Sequence, residues 1–143
     1  MLVQNILDAK GNKVFTIAAD RSLADAVEML NRHAIGALVV LDEMGRISGI
    51  LSERDIVRHL GHDAGALLQR PVADCMTPAP MTCTAETTVA EVMEWMTRYR
   101  IRHLPVLDGR GALAGIVSIG DVDKRKIEEA EIEAAALRDY IAS

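Results

Sequence analysis

Two short stretches that lie 66 residues apart decide how this sequence folds: Gly49-Ile50-Leu51-Ser52-Glu53-Arg54-Asp55 and Gly115-Ile116-Val117-Ser118-Ile119-Gly120-Asp121. In each, a glycine and an apolar run lead to a serine, and an aspartate follows three residues after the serine. This spacing is typical of a capping box, in which the hydroxyl and the carboxylate accept hydrogen bonds from backbone N–H groups at the start of a helix. Each stretch therefore predicts a strand that runs directly into a helix.

The two stretches end the copies of a longer internal repeat. Residues 14–55 align with residues 80–121 without a gap, and 15 of the 42 aligned pairs are identical. Each copy begins with a short extended piece and an N-cap, Ser22 or Thr88, followed by apolar residues at helical spacing. Two apolar runs then flank a turn of the type Asp-x-x-Gly, which predicts a hairpin. Each copy therefore predicts the order strand, helix, strand, strand, helix.

The predicted fold is an α+β (α/β) arrangement of the two copies, related by pseudo-two-fold symmetry and flanked by a helix at each end. A half of roughly 50 residues buries too little surface to be stable alone, so we expect the two halves to pack together. The predicted strands are 14–17, 37–41, 47–51, 81–83, 104–107 and 113–117, and the flanking helices are 3–9 and 122–141. Residues 61–74 are interpreted as a connector. We divide this one module into residues 1–66, the N-terminal helix and first copy, and residues 67–143, the second copy and C-terminal helix.

Composition narrows the class of protein. The chain has 143 residues, of which 50% are hydrophobic and 26% are charged, which predicts a folded module with a buried core. The net charge of −5, with scattered basic residues, argues against binding to nucleic acid. Cys75 and Cys83 form no CxxC motif and predict neither a disulfide framework nor a zinc site. We find no signal-peptide pattern and no apolar run of about 18 residues, so we expect a cytoplasmic protein that does not bind membranes.

The duplication supports a second interpretation of the serine and the aspartate. Both copies keep the glycine, the serine and the aspartate, whereas the residues between them differ. The N-terminus of a helix favours a phosphate, because its free N–H groups and its dipole attract negative charge. A carboxylate one turn into the helix can accept hydrogen bonds from two ribose hydroxyls, and the apolar strand before it can line a purine slot. We therefore expect a pocket for a nucleoside phosphate rather than a catalytic centre.

The repeat resembles a known family. The order of its elements, the stretch IRHLPVLD at residues 101–108 and the GxxSxxD pattern resemble the cystathionine β-synthase (CBS) domain, and residues 74–121 resemble such a domain from end to end. The first copy departs from the pattern at Ala37 to Val39, where it has no counterpart of Pro105. As a tandem pair, or Bateman module, the chain resembles stand-alone bacterial-type CBS proteins. The resemblance implies binding of an adenine nucleotide, chiefly AMP, ADP or ATP and sometimes NAD or S-adenosylmethionine, and assembly as a flat homodimer.

The resemblance also implies two clefts, each formed by residues of both copies. In each cleft an isoleucine lies against the base, the aspartate on the ribose, and the serine near the phosphate. The residues implied for the first cleft are Ile50, Ser52, Arg54, Asp55, Thr82, Cys83, Ile101, Arg102 and His103, with Thr82 and Cys83 beside the adenine. Those implied for the second cleft are Thr16, Ile17, Ile35, Gly36, Ala37, Ile116, Ser118, Asp121 and Lys124.

The two implied clefts differ in charge. The first has Arg54 and Arg102 at positions where the second has Gly120 and Gly36. Arginine suits phosphate because its planar guanidinium donates two parallel hydrogen bonds. We therefore expect the Asp55 cleft to bind phosphate with the higher affinity.

Our interpretation of function is a non-catalytic regulatory and signal-transduction module. It senses AMP, ADP, ATP or NAD, with AMP the first choice, and modulates an unidentified effector protein; no catalytic cofactor is expected. One alternative is a dimerisation scaffold that works without nucleotide, and another is a regulatory subunit of a metabolic enzyme that binds S-adenosylmethionine. An enzyme is disfavoured, because the sequence has no P-loop and no metal-ligand constellation, and the resemblance to inosine monophosphate dehydrogenase concerns only its regulatory insert.

Two local features stay open in the sequence. His59, His62 and Asp63 form an HxxHD pattern, which fits either a metal site or solvated side chains at a helix end. The C-terminal helix carries an apolar stripe at helical spacing, which fits either a docking surface for a partner or packing on its own module. The stripe consists of Ile127, Ala130, Ala134, Leu137 and Ile141.

Overall fold

The computed structural model describes residues 1–61 and 63–143 of the chain. Its helices are α1 (Val3–Lys10), α2 (Leu23–His33), α3 (Glu53–His59), α4 (Ala64–Gln69), α5 (Val89–Tyr99) and α6 (Ile119–Ala142). Its strands are β1 (Thr16–Ala18), β2 (Ala37–Leu41), β3 (Ile47–Ser52), β4 (Thr77–Pro78), β5 (Cys83–Thr84), β6 (His103–Leu107) and β7 (Leu113–Ser118). A 3-10 turn spans Val72–Asp74.

The repeat in the sequence forms two small sheets with the same internal arrangement. In the first sheet, of order β1-β2-β3-β4, β1 pairs parallel with β2, and β2 pairs antiparallel with β3. The second sheet, of order β5-β6-β7, has the same strand directions. Both hairpins shift register at equivalent points, after Val40 and after Val106. The predicted α+β fold, with strand, helix, strand, strand and helix in each half, is confirmed.

Side-chain hydrogen bonds define the starts of the two central helices, as the sequence predicts. The Ser22 hydroxyl accepts a hydrogen bond from the Asp25 amide at 3.1 Å, and the Thr88 hydroxyl accepts one from the Glu91 amide at 3.1 Å. These caps satisfy backbone donors that have no partner within the helix. Both caps place α2 and α5 at equivalent positions on their sheets.

The two hairpin turns also follow the predicted Asp-x-x-Gly chemistry. The carboxylate of Asp42 accepts hydrogen bonds from the backbone amides two and four residues later, at 2.8 and 2.9 Å. Asp108 does the same at 2.8 and 3.0 Å. Gly45 and Gly111 have φ values of 76° and 80°, a backbone region that glycine adopts without strain. These turns fix the register that brings both Ser-x-x-Asp stretches to the same edge of their sheets.

Each half has its own aliphatic core. The first core consists of Ile17, Leu23, Ala26, Leu30, Leu38, Val40, Leu51, Leu67, Val72 and Cys75. The second consists of Val3, Ile6, Leu7, Cys83, Val89, Val92, Met96, Leu104, Val106, Val117 and Val122. Equivalent positions of the repeat, such as Leu38 and Leu104, are fully buried in both halves, because the same face of each β-hairpin packs against its helix.

The segments at the start and the middle of the chain complete the core of the other half. Val3, Ile6 and Leu7 of α1 lie in the second core, whereas Leu67 and Val72 lie in the first. The packing therefore crosses the division that we predict between residues 66 and 67. Within the predicted connector, residues 63–74 contain α4 and the 3-10 turn and supply the buried side chains of Leu67 and Val72.

The C-terminal helix is a direct continuation of the second repeat. α6 begins at Ile119 and extends over 24 residues, so the second helix of the repeat and the predicted helix 122–141 are one element. Val122 is buried, whereas Ile127, Leu137 and Ile141 are 59%, 57% and 80% exposed. The interpretation that this stripe packs on its own module is therefore wrong over the residues that the structure describes. Over the residues described, none of the helices is long and apolar enough to span a membrane.

Candidate functional site

Both Ser-x-x-Asp stretches form the capping boxes that their spacing predicts. The Ser52 hydroxyl accepts a hydrogen bond from the Asp55 amide at 3.3 Å, and the Asp55 carboxylate accepts one from the Ser52 amide at 2.9 Å. Ser118 and Asp121 form the same two bonds at 3.2 and 2.9 Å. Each serine ends a strand and caps the following helix, so β3 passes directly into α3 and β7 into α6.

The Asp55 carboxylate does more than cap α3, because it forms part of a cavity wall. Asp55 is only 4% exposed. The Thr77 hydroxyl donates a hydrogen bond to its Oδ1 atom at 3.1 Å, and the Arg58 guanidinium lies 3.7 Å from the same oxygen. A carboxylate oxygen has two lone pairs, so Oδ1 can accept a further hydrogen bond from a ligand hydroxyl.

The cavity has a volume of about 560 Å³ and is lined by both halves of the molecule. Cavities of roughly 300–1,000 Å³ are typical of small-molecule sites. The Glu53 amide donates to the Gly36 carbonyl at 3.0 Å, and the Ile119 amide donates to the Arg102 carbonyl at 2.8 Å, so each helix N-terminus is tied to the start of its neighbouring strand. The lining residues are Gly36, Ile50, Ser52, Glu53, Arg54, Asp55, Arg58, Thr77, Ala79, Pro80, Met81, Tyr99, Arg100, Ile101, Arg102, His103, Ser118, Ile119 and Gly120.

Most of the side chains predicted for the first cleft meet in this cavity. The ones that line it are Ile50, Ser52, Arg54, Asp55, Ile101, Arg102 and His103. Thr82 and Cys83 are not among its lining residues, and Cys83 is 4% exposed within the second core. Cys83 is the first residue of β5, and its side chain packs in the second core. The residues that line the cavity next to this strand are instead Ala79, Pro80 and Met81.

The sequence interpretation missed five residues with polar side chains that line the cavity: Glu53, Arg58, Thr77, Tyr99 and Arg100. Arg58 follows Arg54 by four residues, which places both on one face of a helix, and this spacing was a usable signal. Arg100 lies at the end of α5 with a left-handed φ of 54°. A left-handed backbone conformation is uncommon for arginine, so the residue type does not indicate it.

Most of the charged side chains that line the cavity are cationic. Four arginines line it, together with the carboxylate of Glu53 and the ring of His103. Burial lowers the pKa of His103, and the carboxylates of Glu53 and Asp121 only partly oppose this effect. Lys10 and Arg102 lower the pKa further, so His103 is a neutral hydrogen-bonding group near neutral pH. The cavity therefore combines one buried carboxylate with an array of cations that suits phosphate.

The second predicted cleft has a different structure, because α1 lies on it. The Lys10 amine donates to the Asp121 carboxylate at 2.7 Å and to the Ile116 carbonyl at 2.9 Å. A methyl group on Gly115 would lie 2.9 Å from Leu7 Cδ2, which shows how closely α1 approaches β7. Burial raises the pKa of Asp121, but the hydrogen bonds from Lys10 and the Ser118 amide outweigh this effect, and the pKa is lowered.

The residues predicted for the second cleft do not form one pocket. Asp121 and Lys124 line a small cavity of about 110 Å³ with residues of α1 and α6. Gly36 and Ser118 line the large cavity instead. Thr16, Ile17, Ile35, Ala37 and Ile116 line neither cavity, and Ile17 and Ala37 are buried.

The metal interpretation of the HxxHD pattern falls partly on His62, which lies outside the described residues. The His59 ring nitrogen Nδ1 lies 2.7 Å from the Asp55 carbonyl oxygen, within its own helix. Asp63 caps α4 by accepting a hydrogen bond from the Ala66 amide at 3.0 Å. Within residues 1–61 and 63–143, no group of three or more His, Cys, Asp or Glu side chains is arranged to hold a metal ion.

This chain is similar in sequence and in structure to known CBS-domain proteins. The chain is 34% identical over 147 residues to the mitochondrial CBS domain-containing protein CBSX3 of Arabidopsis thaliana, which covers 97% of this chain and 71% of that protein. The crystal structure of the CBS-domain containing protein ATU1752 from Agrobacterium tumefaciens is 42% identical, with a TM-score of 0.83, over 87% of this chain and 92% of the other. The CBS domain pair of protein MJ0100, solved with 5′-methylthioadenosine and S-adenosylmethionine, is 27% identical, with a TM-score of 0.78, over 90% and 98% of the two chains.

The family assignment rests on both halves of the chain. The family model for the CBS domain matches residues 8–62 and residues 72–128. These two ranges contain the two sheets, their central helices and both Ser-x-x-Asp stretches. The chain therefore belongs to the CBS-domain family, as a tandem pair of CBS domains.

Proposed function

We propose that this protein binds an adenine nucleotide, with AMP the first choice among AMP, ADP, ATP and NAD, and transmits the occupancy of its cavity to a partner protein. The observation that carries the proposal is a cavity of about 560 Å³ lined by a buried carboxylate, that of Asp55, and by four arginines. A nucleoside phosphate has the matching polarity, since its ribose donates hydrogen bonds and its phosphate accepts them.

Each part of the nucleotide has a counterpart in the cavity. Asp55 Oδ1 accepts a hydrogen bond from Thr77 and has a second lone pair for a ribose hydroxyl. Ile50 and Ile101 supply apolar surface for the adenine ring. Arg54 and Arg102 come from opposite halves, so a phosphate held by both would connect the two repeats.

The charge of the cavity favours a nucleotide over S-adenosylmethionine. The CBS pair of MJ0100 was solved with S-adenosylmethionine and 5′-methylthioadenosine, which share an adenosine group with AMP. S-adenosylmethionine, however, carries a positive sulfonium where AMP carries a phosphate. Beside four arginines the sulfonium is repelled and the phosphate is attracted, since the sign of a Coulomb interaction follows the charges.

A regulatory, non-catalytic role fits a cavity that both halves form. A ligand shifts an equilibrium between two arrangements of a protein only if it binds one of them more tightly. A ligand that bridges the halves has this property, because its contacts depend on their relative position. We further propose that the protein works as a cytoplasmic homodimer and that the effector is another protein.

Isothermal titration with AMP, ADP, ATP, NAD and S-adenosylmethionine tests the proposal. The test variant is Asp55→Asn, and Asp121→Asn is its matched control, because both lose the carboxylate of an equivalent capping box. We expect the affinity for AMP to fall at least about tenfold more in Asp55→Asn than in Asp121→Asn. If the wild-type protein, freed of co-purified nucleotide, binds none of the five, the nucleotide-independent scaffold becomes the better interpretation.

A second pair of variants tests the phosphate contact. Arg102→Ala removes one charge-assisted hydrogen bond and is expected to weaken AMP binding by roughly 1.5–3 kcal/mol, or about ten- to a hundredfold. Arg110→Ala removes an exposed arginine from a hairpin turn outside the cavity and serves as the control. Equal affinities for AMP in the two variants would show that Arg102 does not contact the phosphate.

A further inference from the structure

We infer that α1 is a built-in occupant of the second cleft, so that each chain binds one nucleotide, beside Asp55, and none beside Asp121. The number of bound nucleotides rests on the proposed function, whereas the occupancy of the cleft by α1 does not. The inference follows from a comparison of two segments that lie at equivalent positions in the two halves.

The start of α1 and the segment at Val72 have the same backbone contacts. The Val3 amide donates to the Thr87 carbonyl at 2.8 Å, and the Val72 amide donates to the Arg21 carbonyl at 2.8 Å. Thr87 and Arg21 are equivalent in the repeat, since they lie 66 residues apart. The equivalence continues along the chain, because Leu7 packs on Gly115 as Met76 packs on Gly49.

The two segments then diverge because of one residue type. In the first half Pro78 follows soon after the 3-10 turn, and proline is incompatible with a helix interior, so the chain leaves as the strand β4 beside β3. At the equivalent position α1 has Ala9, so the helix continues to Lys10 and ends at Gly11, which has a φ of 96°. The second cleft is therefore covered by a full helix where the first is bordered by a strand.

Lys10 brings a cation to the polar groups that a nucleoside would use. Its amine donates both to the Asp121 carboxylate, at 2.7 Å, and to the Ile116 carbonyl, at 2.9 Å. Ala79 occupies the equivalent position in the first half and carries no such group. Asp121 thus already has a charge-assisted partner, and a ribose hydroxyl would have to displace a cation that is the stronger donor.

The space that remains is also too small. The cavity beside Asp121 measures about 110 Å³, which is well below the roughly 300 Å³ at which ligand pockets begin. The cavity beside Asp55, where the equivalent segment is a strand and not a helix, measures about 560 Å³.

The test gives the end of α1 the residues that stand at the equivalent positions of the segment after Val72. The variant Asp8→Thr/Ala9→Pro/Lys10→Ala gives α1 the residues Thr77, Pro78 and Ala79 of the equivalent segment. Native mass spectrometry with AMP and with ATP should show one nucleotide per chain for the wild type and two for this variant. Adding Asp121→Asn to the variant should remove the second nucleotide, and Asp55→Asn should remove the only one from the wild type. Two nucleotides per wild-type chain would overturn the inference.

A second experiment tests the contact between α1 and the cleft directly. It uses no nucleotide, and it does not depend on whether the triple variant folds. The thermal unfolding midpoints of Lys10→Met, Asp121→Asn and the double variant form a double-mutant cycle. If Lys10 holds α1 on the cleft, the effects of Lys10→Met and Asp121→Asn on the midpoint are not additive. Each substitution then lowers the midpoint less in the presence of the other than it does alone. Additive changes would overturn the occupancy of the cleft by α1. Absence of nucleotide binding in the wild type, combined with a non-additive cycle, would refute the proposed function alone.

Discussion

At the scale of single residues, Asp55 serves the fold and the candidate site with the same carboxylate. Its Oδ2 atom accepts a hydrogen bond from the Ser52 amide and so caps α3. Its Oδ1 atom accepts a hydrogen bond from the Thr77 hydroxyl, and the residue lines the cavity. The two interpretations of the Ser-x-x-Asp pattern in the sequence, a helix cap and a pocket wall, are therefore compatible. The same pattern at Asp121 forms the cap, pairs with Lys10 and lines only the small cavity, so the surroundings of the two equivalent carboxylates differ.

Replacement of Gly49 or of Gly115 by alanine should affect stability differently, although the two glycines are equivalent in the repeat. A methyl group on Gly49 would lie 2.7 Å from the Thr77 carbonyl oxygen, which is backbone, whereas on Gly115 it would meet the mobile end of Leu7. Overpacking of this kind costs roughly 1–3 kcal/mol when the neighbours cannot move. We expect Gly49→Ala to lower the free energy of unfolding in denaturant titrations by more than Gly115→Ala. An equal or reversed order would show that β4 yields as easily as α1.

His103 predicts a loss of stability on mild acidification. Its pKa is lowered in the folded protein, chiefly by burial, so below about pH 6.5 the unfolded chain binds a proton there that the folded chain does not. The contribution of His103 to stability is therefore present above this pH and is lost as the pH falls through the lowered pKa. We expect the free energy of unfolding to fall less between about pH 7.5 and about pH 5.5 in His103→Gln than in the wild type. Parallel pH profiles would contradict the buried, neutral state of His103.

At the scale of secondary-structure elements, α6 predicts how the chain associates. Its apolar stripe, which includes Leu137, is exposed, and burial of such a stripe against a second copy would stabilise a homodimer. We expect Leu137→Glu to raise the dimer dissociation constant at least about tenfold in sedimentation experiments. Ile132→Glu is the matched control, because it introduces the same charge on the opposite face of the helix, where Ile132 is 70% exposed. A dimer equally sensitive to both substitutions would exclude this stripe as the interface.

The elements that the sequence predicts well are those inside the ungapped repeat. Both hairpins and both central helices follow from turn residues, caps and hydrophobic spacing, all of which act locally. The exchange of α1 and the Val72 segment between the cores was not predictable in this way. Val3 and Val72 are 69 residues apart rather than 66, so they fall outside the alignment, and only their long-range bonds to equivalent carbonyls reveal the relationship.

The same limit applies to the candidate site. The residues of the first cleft could be predicted because they belong to the aligned motifs, and Asp55 and Arg102 do line one cavity. The sequence predicts a difference in charge between the clefts from Arg54 and Arg102, and the structure adds a second difference, the contact of Lys10 with Asp121, in which Lys10 lies outside the repeat. A long-range ion pair between residues 111 positions apart leaves no periodic pattern in the sequence.

At the scale of the whole molecule, the halves have separate cores but share the cavity. A ligand held by Asp55 in one half and Arg102 in the other must therefore stabilise both halves at once. Trp95, the only tryptophan in the sequence, packs on the second core, so its fluorescence reports on the half that does not contain Asp55.

This arrangement predicts that AMP raises the unfolding temperature of both halves together. At a hundredfold excess over the dissociation constant the stabilisation is about 2.7 kcal/mol, which corresponds to roughly 5–10 °C for a protein of this size. We expect the same shift by Trp95 fluorescence and by far-ultraviolet circular dichroism, which averages over both halves. At the same concentration of AMP, a roughly tenfold loss of affinity in Asp55→Asn should reduce the shift to about half in both signals, although Trp95 lies in the other half. A shift in circular dichroism without one in fluorescence would mean that the nucleotide contacts the first half alone and that the cavity does not couple the two CBS domains.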